Sequence, residues 1–410
     1  MMSSTRVWRS AALIALAGLA LAACGGSSGG GSTGGGGGAK TLIISSDLPL
    51  QGSSKDASTA MNQAIQLYLD QVGNKAGKYK IQFKSYDDST AAKGAWDDAT
   101  CAKNAQDHVA NPNEVAVMGT YNSGCAKIEV PVLNQDPSGP MLMVSHANTN
   151  PGLTKAWDPG EPDKYYPTGK RNYARVVTTD DFQGLADSNY IKDTLHKKAC
   201  YVLNDNQTYG QGVAQAFVTN AKKIGLKVLG NQPWDAKQPN YTALFQSIKS
   251  KNPDCIFLAG IYDNNGGQLV KDKVKVLGDN TKVIMMGPDG FEGYPPLQAQ
   301  KEAEGMYISF PALDTSTLRK QGGGAAKFLD AYKAKYGADP VSSYALYAAS
   351  AVQVILAAIE KSDGTRKGVT DAVFTGAGIT IPADVSVIGK EMVIDPKTGD
   401  TTNRVFSILQ

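Results

Sequence analysis

The sequence lacks the residue patterns that mark most hydrolases, phosphoryl-transfer enzymes and nucleic-acid-binding proteins. Only three of its 410 residues are histidine. His-Glu-x-x-His and P-loop patterns are absent, and Gly-x-Ser-x-Gly occurs only within the glycine- and serine-rich stretch 25–38. The formal charge is +3, and the first 23 residues contribute two arginines and no acid to it. We therefore expect no catalytic residues, cofactor or metal, and no nucleic-acid partner.

The sequence also lacks an apolar run of the length that a bilayer requires, about 20 residues. Arg6 and Arg9 precede the short apolar segment Ala11 to Ala23, so residues 1–23 are predicted to be a signal peptide. The following Leu21-Ala22-Ala23-Cys24 resembles the lipobox of bacterial lipoproteins, in which the cysteine is lipidated. An ordinary secretory signal with a chance cysteine is the alternative.

Residues 24–40 contain almost only glycine and serine after the cysteine, a composition typical of a flexible linker. The expected location is therefore extracytoplasmic, with the membrane reached only through the lipid on Cys24.

Four further cysteines are expected to be oxidised outside the membrane. Cys101 lies in the predicted helix Ala95 to Val109 and Cys125 at a loop-to-helix turn, so a disulfide between them would attach that loop to the helix. Cys200 and Cys255 each lie near the start of a predicted strand, Ala199 to Leu203 and Cys255 to Leu258, and could meet if those strands are neighbours. Sequence alone does not determine this connectivity.

Alternating strand and helix patterns predict an α/β protein with two doubly wound parallel units. In the first unit, the apolar runs Val115 to Met118 and Met141 to Val144 are typical of buried parallel strands. A second series with the same alternation extends from Ala199 to Met286. The last two strand-like segments, Glu391 to Ile394 and Arg404 to Leu409, are predicted to form a hairpin.

Polar loops follow the two apolar strands Val115 to Met118 and Met141 to Val144, at the sheet edge where α/β proteins bind ligands. Ser123 and Gly124 precede a short predicted helix whose first N–H groups lack intrahelical partners, an arrangement suited to an anion. The proline-rich segment 151–172 is predicted to be an ordered insertion at the surface or cleft rim.

Several short motifs, in order, resemble those of the type I periplasmic binding proteins, in the branched-chain amino acid branch of ABC-importer receptors. They are Ser85-Tyr86-Asp87-Asp88, Asn122-Ser123-Gly124, the run from Met141 to Thr149, Arg175 with Gln183-Gly184, the run from Asn206 to Gly212, and the run from Met286 to Gly290. The resemblance implies two lobes joined by a three-strand hinge. Lobe 1 would be residues 41–176 with 309–383, and lobe 2 residues 177–308 with 384–410.

The resemblance also implies a ligand site between the lobes. Ser123, the Gly124 N–H and Thr149 would hold a carboxylate, while the Ala147 carbonyl, Thr149 and Asp289 would hold an ammonium group. Tyr209 would close over the ligand, and either Ile261 or Tyr262 would supply the next contact. The full predicted set is Asn122, Ser123, Gly124, Ala147, Asn148, Thr149, Tyr209, Tyr262 and Asp289. His146 and Asn148 suggest a pocket more polar than one for leucine.

The implied function is capture of an amino acid, or a related small zwitterion or amide, for transmembrane ABC permease subunits by a monomer. One alternative is a lipid-anchored sensor that feeds a separate signalling partner. Another is a hydrolase of small amides, with His146 as a base near Asp289.

Overall fold

The computed structural model describes residues 39–410, so the predicted signal peptide, Cys24 and most of the linker lie outside the described residues. Its sixteen strands are β1 Thr41–Leu48, β2 Lys75–Ala76, β3 Tyr79–Asp87, β4 Ser89–Thr90, β5 Ala95–Trp96, β6 Glu114–Gly119, β7 Leu142–Ser145, β8 Tyr173–Arg175, β9 Ala199–Asn204, β10 Lys227–Pro233, β11 Cys255–Ala259, β12 Ile284–Gly287, β13 Tyr307–Phe310, β14 Ile379–Ile381, β15 Met392–Ile394 and β16 Ser407–Leu409.

Twelve α-helices alternate with these strands over most of the described part. They are α1 Lys55–Gln71, α2 Asp98–Ala110, α3 Ser123–Asn134, α4 Asp180–Asn189, α5 Thr208–Ile224, α6 Thr242–Lys249, α7 Gly266–Leu277, α8 Pro295–Gln298, α9 Thr315–Gln321, α10 Gly323–Tyr336, α11 Tyr344–Glu360 and α12 Arg366–Phe374. The predicted helix at 95–109 begins later, because Asp97 caps α2 by accepting a hydrogen bond from the Thr100 N–H.

Two six-stranded sheets form the framework, with orders β2-β3-β1-β6-β7-β8 and β10-β9-β11-β12-β13-β16. All neighbours within them are parallel except β2 with β3 and β13 with β16. Parallel strands covered on both faces need side chains that are apolar throughout, which explains the uninterrupted apolar runs in β6 and β7. The predicted α/β fold of two doubly wound parallel sheets is confirmed.

Helix α11 forms the centre of the core beside the first sheet. Every residue in it except Ala357 and Glu360 is buried, since it packs between α1, α12 and strands of that sheet. Such all-round burial requires a helix with almost no polar residues, and α11 is composed mainly of alanine, valine, leucine and isoleucine.

Three chain segments connect the two sheets and contact one another. Thr178 donates its N–H to the Pro311 carbonyl at 3.1 Å, so the first two connections lie side by side. Ser407 is part of the third, and its hydroxyl donates to the Ala312 carbonyl at 3.0 Å.

The third connection occurs later than the expected boundary at 383. Val387, Ile388 and β15 pack in the core of the first sheet, and β15 pairs with β14. Only β16 then joins the second sheet, by pairing with β13. The predicted hairpin of the last two strands is therefore wrong: the turn at 395–400 forms, but the chain leaves for the other sheet after Thr401.

Both cysteine pairs considered above are bonded in the structure. Cys101 in α2 is joined to Cys125 in α3, with Cα atoms 5.6 Å apart. Cys200 and Cys255 lie opposite each other in the parallel pair β9 and β11, and their Cα atoms are 4.4 Å apart. The first disulfide attaches the helix that follows the β6 loop to its neighbour.

Candidate functional site

The loop after β6 presents the start of α3 to the space between the two sheets. Asn122 occupies the N-cap position with extended backbone and no capping hydrogen bond from its side chain, whose Oδ1 is buried without a partner among the described residues. Gly124 packs directly on Trp96, where a Cβ atom would lie 2.5 Å from the indole ring. The close packing of this glycine holds the first turn of α3 in place, with N–H groups that no helical carbonyl satisfies.

The loop after β7 is joined to the β6 loop by Asn148. Its side-chain amide donates to the carbonyls of Thr120 and Tyr121 at 2.8 and 3.1 Å, while its Oδ1 accepts from the Tyr173 hydroxyl. Asn148 was predicted to bind the ligand, but the structure uses its side chain to hold the two loops together.

On the side of the second sheet, Asp289 follows β12 and lies buried beneath two tyrosines. Its Oδ1 accepts from the Tyr209 hydroxyl at 2.7 Å and its Oδ2 from the Tyr344 hydroxyl at 2.6 Å. Burial raises the pKa of the Asp289 carboxyl, and the two tyrosine hydrogen bonds oppose that rise. Tyr344 belongs to α11 beside the first sheet, so this carboxylate joins the two halves of the molecule.

These groups line a narrow cavity of about 20 Å³. Its lining residues are Tyr121, Asn122, Ser123, Ala147, Tyr209, Ile261, Asp289, Gly290 and Tyr344. The structure thus brings together Asn122, Ser123, Ala147, Tyr209 and Asp289 from the predicted set.

The remaining predicted residues lie elsewhere. Tyr262 packs on Phe291 and Tyr294, whereas Ile261 contributes to the cavity lining. Gly124 is covered by Trp96. The Thr149 hydroxyl is buried without a hydrogen-bond partner in the described part of the chain.

Sequence reasoning missed two aromatic lining residues. Tyr121 lies inside the polar loop that the sequence singled out, so its position there was a usable signal. Tyr344 gave none, because it begins an apolar helix more than fifty residues from Asp289. Its ring packs edge-on against Tyr121, with centroids 5.6 Å apart.

The cavity lies in a region of negative potential. No lysine, arginine or histidine contributes to its lining within residues 39–410. Burial raises the pKa of the Tyr121 hydroxyl well above its usual range, and the nearby carboxylates of Glu292, Asp263 and Asp289 raise it further. A solute with a positive group is therefore favoured electrostatically over a purely anionic one.

His146 does not serve as a base for Asp289. It is fully buried, its Nε2 lies 3.0 Å from the Met61 sulfur, and it is not part of the cavity lining. Burial lowers the pKa of His146 to about 3, so the imidazole is neutral at physiological pH. The residue packs with Tyr121 and Tyr344 as part of the wall behind the cavity.

Within residues 39–410, no helix combines the length and apolar character required to cross a membrane.

Comparison with known proteins places this arrangement in a family. A family model described as periplasmic binding protein matches residues 48–404. The Leu/Ile/Val-binding protein BraC3 of Rhizobium johnstonii is 27% identical over 362 residues, covering 88% of this chain and 89% of that protein.

Two solved structures share the fold. One is the leucine binding protein LivK from Thermotoga maritima, with a TM-score of 0.72, 20% identity, and coverage of 90% of this chain and 94% of that one. The other is an ABC-transporter solute binding protein from Rhodopseudomonas palustris HaA2 in complex with p-hydroxybenzoic acid, with a TM-score of 0.72, 17% identity, and coverage of 90% and 92%. The chain therefore belongs to the type I periplasmic binding proteins, in the branch that contains the branched-chain amino acid-binding proteins.

Proposed function

We propose that this protein is the solute-binding component of an ABC importer and that it captures an amino acid, or a related small zwitterion or amide. The observation that carries the proposal is that Ser123, with the free N–H groups of α3, and Asp289 line the same enclosed cavity. Buried charges require opposite charges or dipoles. The cavity offers a donor side for a carboxylate and an acid for an ammonium group.

The charge of the cavity favours an amine-bearing ligand over an aromatic acid. A benzoate would satisfy Ser123 and the helix N-terminus, but it has no positive group to place beside Asp289. Tyr209 and Tyr344 already occupy one site on each Asp289 oxygen, and a carboxylate oxygen can accept a second hydrogen bond. A ligand ammonium group would complete that set.

The roles of the remaining residues follow from this pose. The Ala147 carbonyl is a proposed ammonium contact, and Ile261 rather than Tyr262 is the proposed side-chain contact. Tyr344 closes the cavity from α11, together with Tyr209 from α5.

Several hydrogen bonds between the two halves provide a mechanism for closure. Ser54, just before α1, donates to Asp263 at 2.8 Å, and Asn150 donates to the Thr208 carbonyl at 3.1 Å. These contacts form only when the halves approach, so ligand binding would shift a hinge equilibrium toward the closed form. A permease can recognise that closed form.

The test is calorimetric titration of the purified protein with amino acids, small amides and p-hydroxybenzoate. We expect binding of at least one amine-bearing solute, weakened in Ser123→Ala and retained in Tyr262→Phe, whose ring lies outside the cavity. Tight binding of p-hydroxybenzoate with no response to any amine or amide would refute the ligand class.

The proposed lipid anchor requires a separate experiment. Cys24→Ser should move the protein from the membrane fraction to the soluble fraction, with ligand affinity unchanged. Equal fractionation of both forms would contradict the anchor. Loss of ligand uptake on deletion of a candidate permease would distinguish transport from the lipid-anchored sensor.

A further inference from the structure

A cluster of buried ionisable side chains lies behind the β6 loop, outside the ligand cavity. Asp47 in β1 is paired in register with Gly119, the last residue of β6. Beside it lie His108 from α2 and Glu129 from α3, and all three side chains are fully buried. One ligand atom from each lies within 4.8 Å of the other two. Three separate elements therefore meet at this point.

Two carboxylates in this region have no adequate partner within the described residues. Both oxygens of Asp88, which is 0% exposed, lack a hydrogen bond, and so does Glu129 Oε2. The remaining Glu129 oxygen lies 3.3 Å from the Cys125 sulfur. That sulfur is bonded to Cys101 and carries no proton to donate. A buried carboxylate without a donor needs a partner, which can be a water molecule, a shared proton or an ion.

His108 is oriented as a metal ligand would be. Its Nδ1 lies 2.5 Å from Glu114 Oε1, which also accepts from the Ser45 hydroxyl. Its Nε2 forms a hydrogen bond with Asp47 Oδ2 at 3.3 Å, and a bound ion would replace the proton between these two atoms. Metal-binding histidines commonly donate their second nitrogen to a carboxylate in this way. Tetrahedral zinc with bonds of about 2.0–2.1 Å separates neighbouring ligand atoms by about 3.3–3.4 Å.

We propose that Asp47, His108 and Glu129 bind a divalent transition-metal ion of the Zn²⁺ type. The fourth position is left to a water molecule. Glu114 orients the imidazole, and Asn104 orients Asp47 by donating to its Oδ1 at 3.0 Å. Nitrogen and carboxylate ligands together suit zinc better than calcium or magnesium, which prefer oxygen alone.

The position of the ion gives it a structural role. It would join β1, α2 and α3 immediately behind the loop that begins α3 at Ser123. The Cys101–Cys125 disulfide already joins α2 to α3, and the metal would add β1 to the same unit. The expected consequence is higher stability of the first lobe, since an ion that binds only the folded state stabilises it.

The test uses the full chain carrying Cys24→Ser, which removes the thiol of that residue as a competing zinc ligand. The protein is stripped with EDTA, incubated with ZnCl₂ and desalted, and zinc is measured by inductively coupled plasma mass spectrometry. We expect about one zinc per chain and a raised melting temperature. Glu129→Gln and Asp47→Asn should lose both effects. Asp187→Asn, which alters a buried carboxylate outside the cluster, and His196→Gln, which alters an exposed histidine, should keep them.

X-ray absorption on the zinc-loaded parent gives a readout that does not depend on any variant folding. Imidazole nitrogen and carboxylate oxygen at about 2.0–2.1 Å support the site. Sulfur in the coordination shell, or zinc retention unchanged in Glu129→Gln, would overturn the proposal. So would a parent that retains no zinc and does not respond to it, because the carboxylates would then be neutralised by shared protons.

Discussion

The electrostatic role proposed for Asp289 leads to a prediction that depends on the ligand as well as the protein. Asp289→Asn keeps the shape of the side chain and removes its charge. Tyr209 and Tyr344 lie 2.7 and 2.6 Å from the two carboxylate oxygens, and each tyrosine oxygen can accept a hydrogen bond from an asparagine amide. We therefore expect the variant to fold.

The magnitude follows from the loss of one charge-assisted hydrogen bond to the ligand. Such bonds contribute about 1.5–3 kcal/mol, which corresponds to an affinity loss of about 10- to 150-fold. This loss of affinity should apply to the amino acid that binds most tightly in the panel. It should not apply to the analogue of that amino acid in which hydrogen replaces the amino group. That analogue offers Asp289 no positive charge, so its affinity should stay the same or improve.

Isothermal titration of both ligands with both proteins completes a thermodynamic cycle. Asp263→Asn is the matched control, because Asp263 is a half-buried carboxylate that likewise accepts from a tyrosine, Tyr294, at 2.7 Å, but lies outside the cavity lining. If Asp263→Asn changes closure, it should change the affinities of both ligands equally, so the ratio of the two affinities should stay the same. Equal losses for the two ligands in Asp289→Asn would refute the assignment of an ammonium partner to this acid.

Three further predictions concern closure, the insertion and the β6 loop. Tyr344→Phe should weaken ligand binding by about tenfold in calorimetry. Tyr347→Phe, one turn along the same helix, should not, because its hydroxyl hydrogen-bonds to the Leu313 backbone and the residue is not part of the cavity lining among residues 39–410. Burial raises the pKa of Glu161, but hydrogen bonds from Lys127 and Tyr165 outweigh it and lower the pKa to about 2. The ionised Glu161 should therefore stabilise the folded protein by about 2–3 kcal/mol above pH ~4.5. This stabilisation should disappear as the pH falls toward 2. Urea unfolding of Glu161→Gln at pH 7 and pH 3 should therefore show a large difference from the parent only at pH 7. Gly124→Ala should lower the free energy of unfolding by about 1–3 kcal/mol through its clash with Trp96.

Each of these has an outcome that contradicts it. If Tyr344→Phe and Tyr347→Phe weaken ligand binding equally, the hydrogen bond from Tyr344 to Asp289 has no specific role in closure. A difference at pH 3 as large as that at pH 7 would show that Glu161 acts by packing alone. Gly124→Ala should couple with Trp96→Phe, since the smaller ring leaves room for the methyl group, and strictly additive losses would exclude the clash.

Local sequence was sufficient to predict the strands and most of the helices of both units. Buried parallel strands need apolar runs such as Val115 to Met118, and these are readable without knowledge of their neighbours. The positions of Asn122, Ser123 and Asp289 also follow, because all three lie in loops directly after predicted strands. Chain order around such a sheet brings these loops to one edge.

Residues far apart in sequence could not be assigned in this way. Tyr344 enters the site from an apolar helix, and its role depends on how α11 packs beside the first sheet. Asn148 resembles a ligand contact in sequence, but its amide is used by two carbonyls of another loop. The chain was expected to cross to the second sheet for the last time near 383, but it crosses after Thr401. The reason is that β15 pairs with β14, a partner that the local sequence pattern does not identify.

The sequence by itself determined the α/β class, the two parallel units and the loops that carry ligand contacts, since these depend on the periodicity and polarity of neighbouring residues. Only the tertiary structure decided which of those contacts face the cavity, how Asp289 is covered, and that Asp47, His108 and Glu129 meet behind it. The reason is physical: burial, hydrogen-bond satisfaction and charge proximity depend on which segments pack together, and no local pattern contains that information.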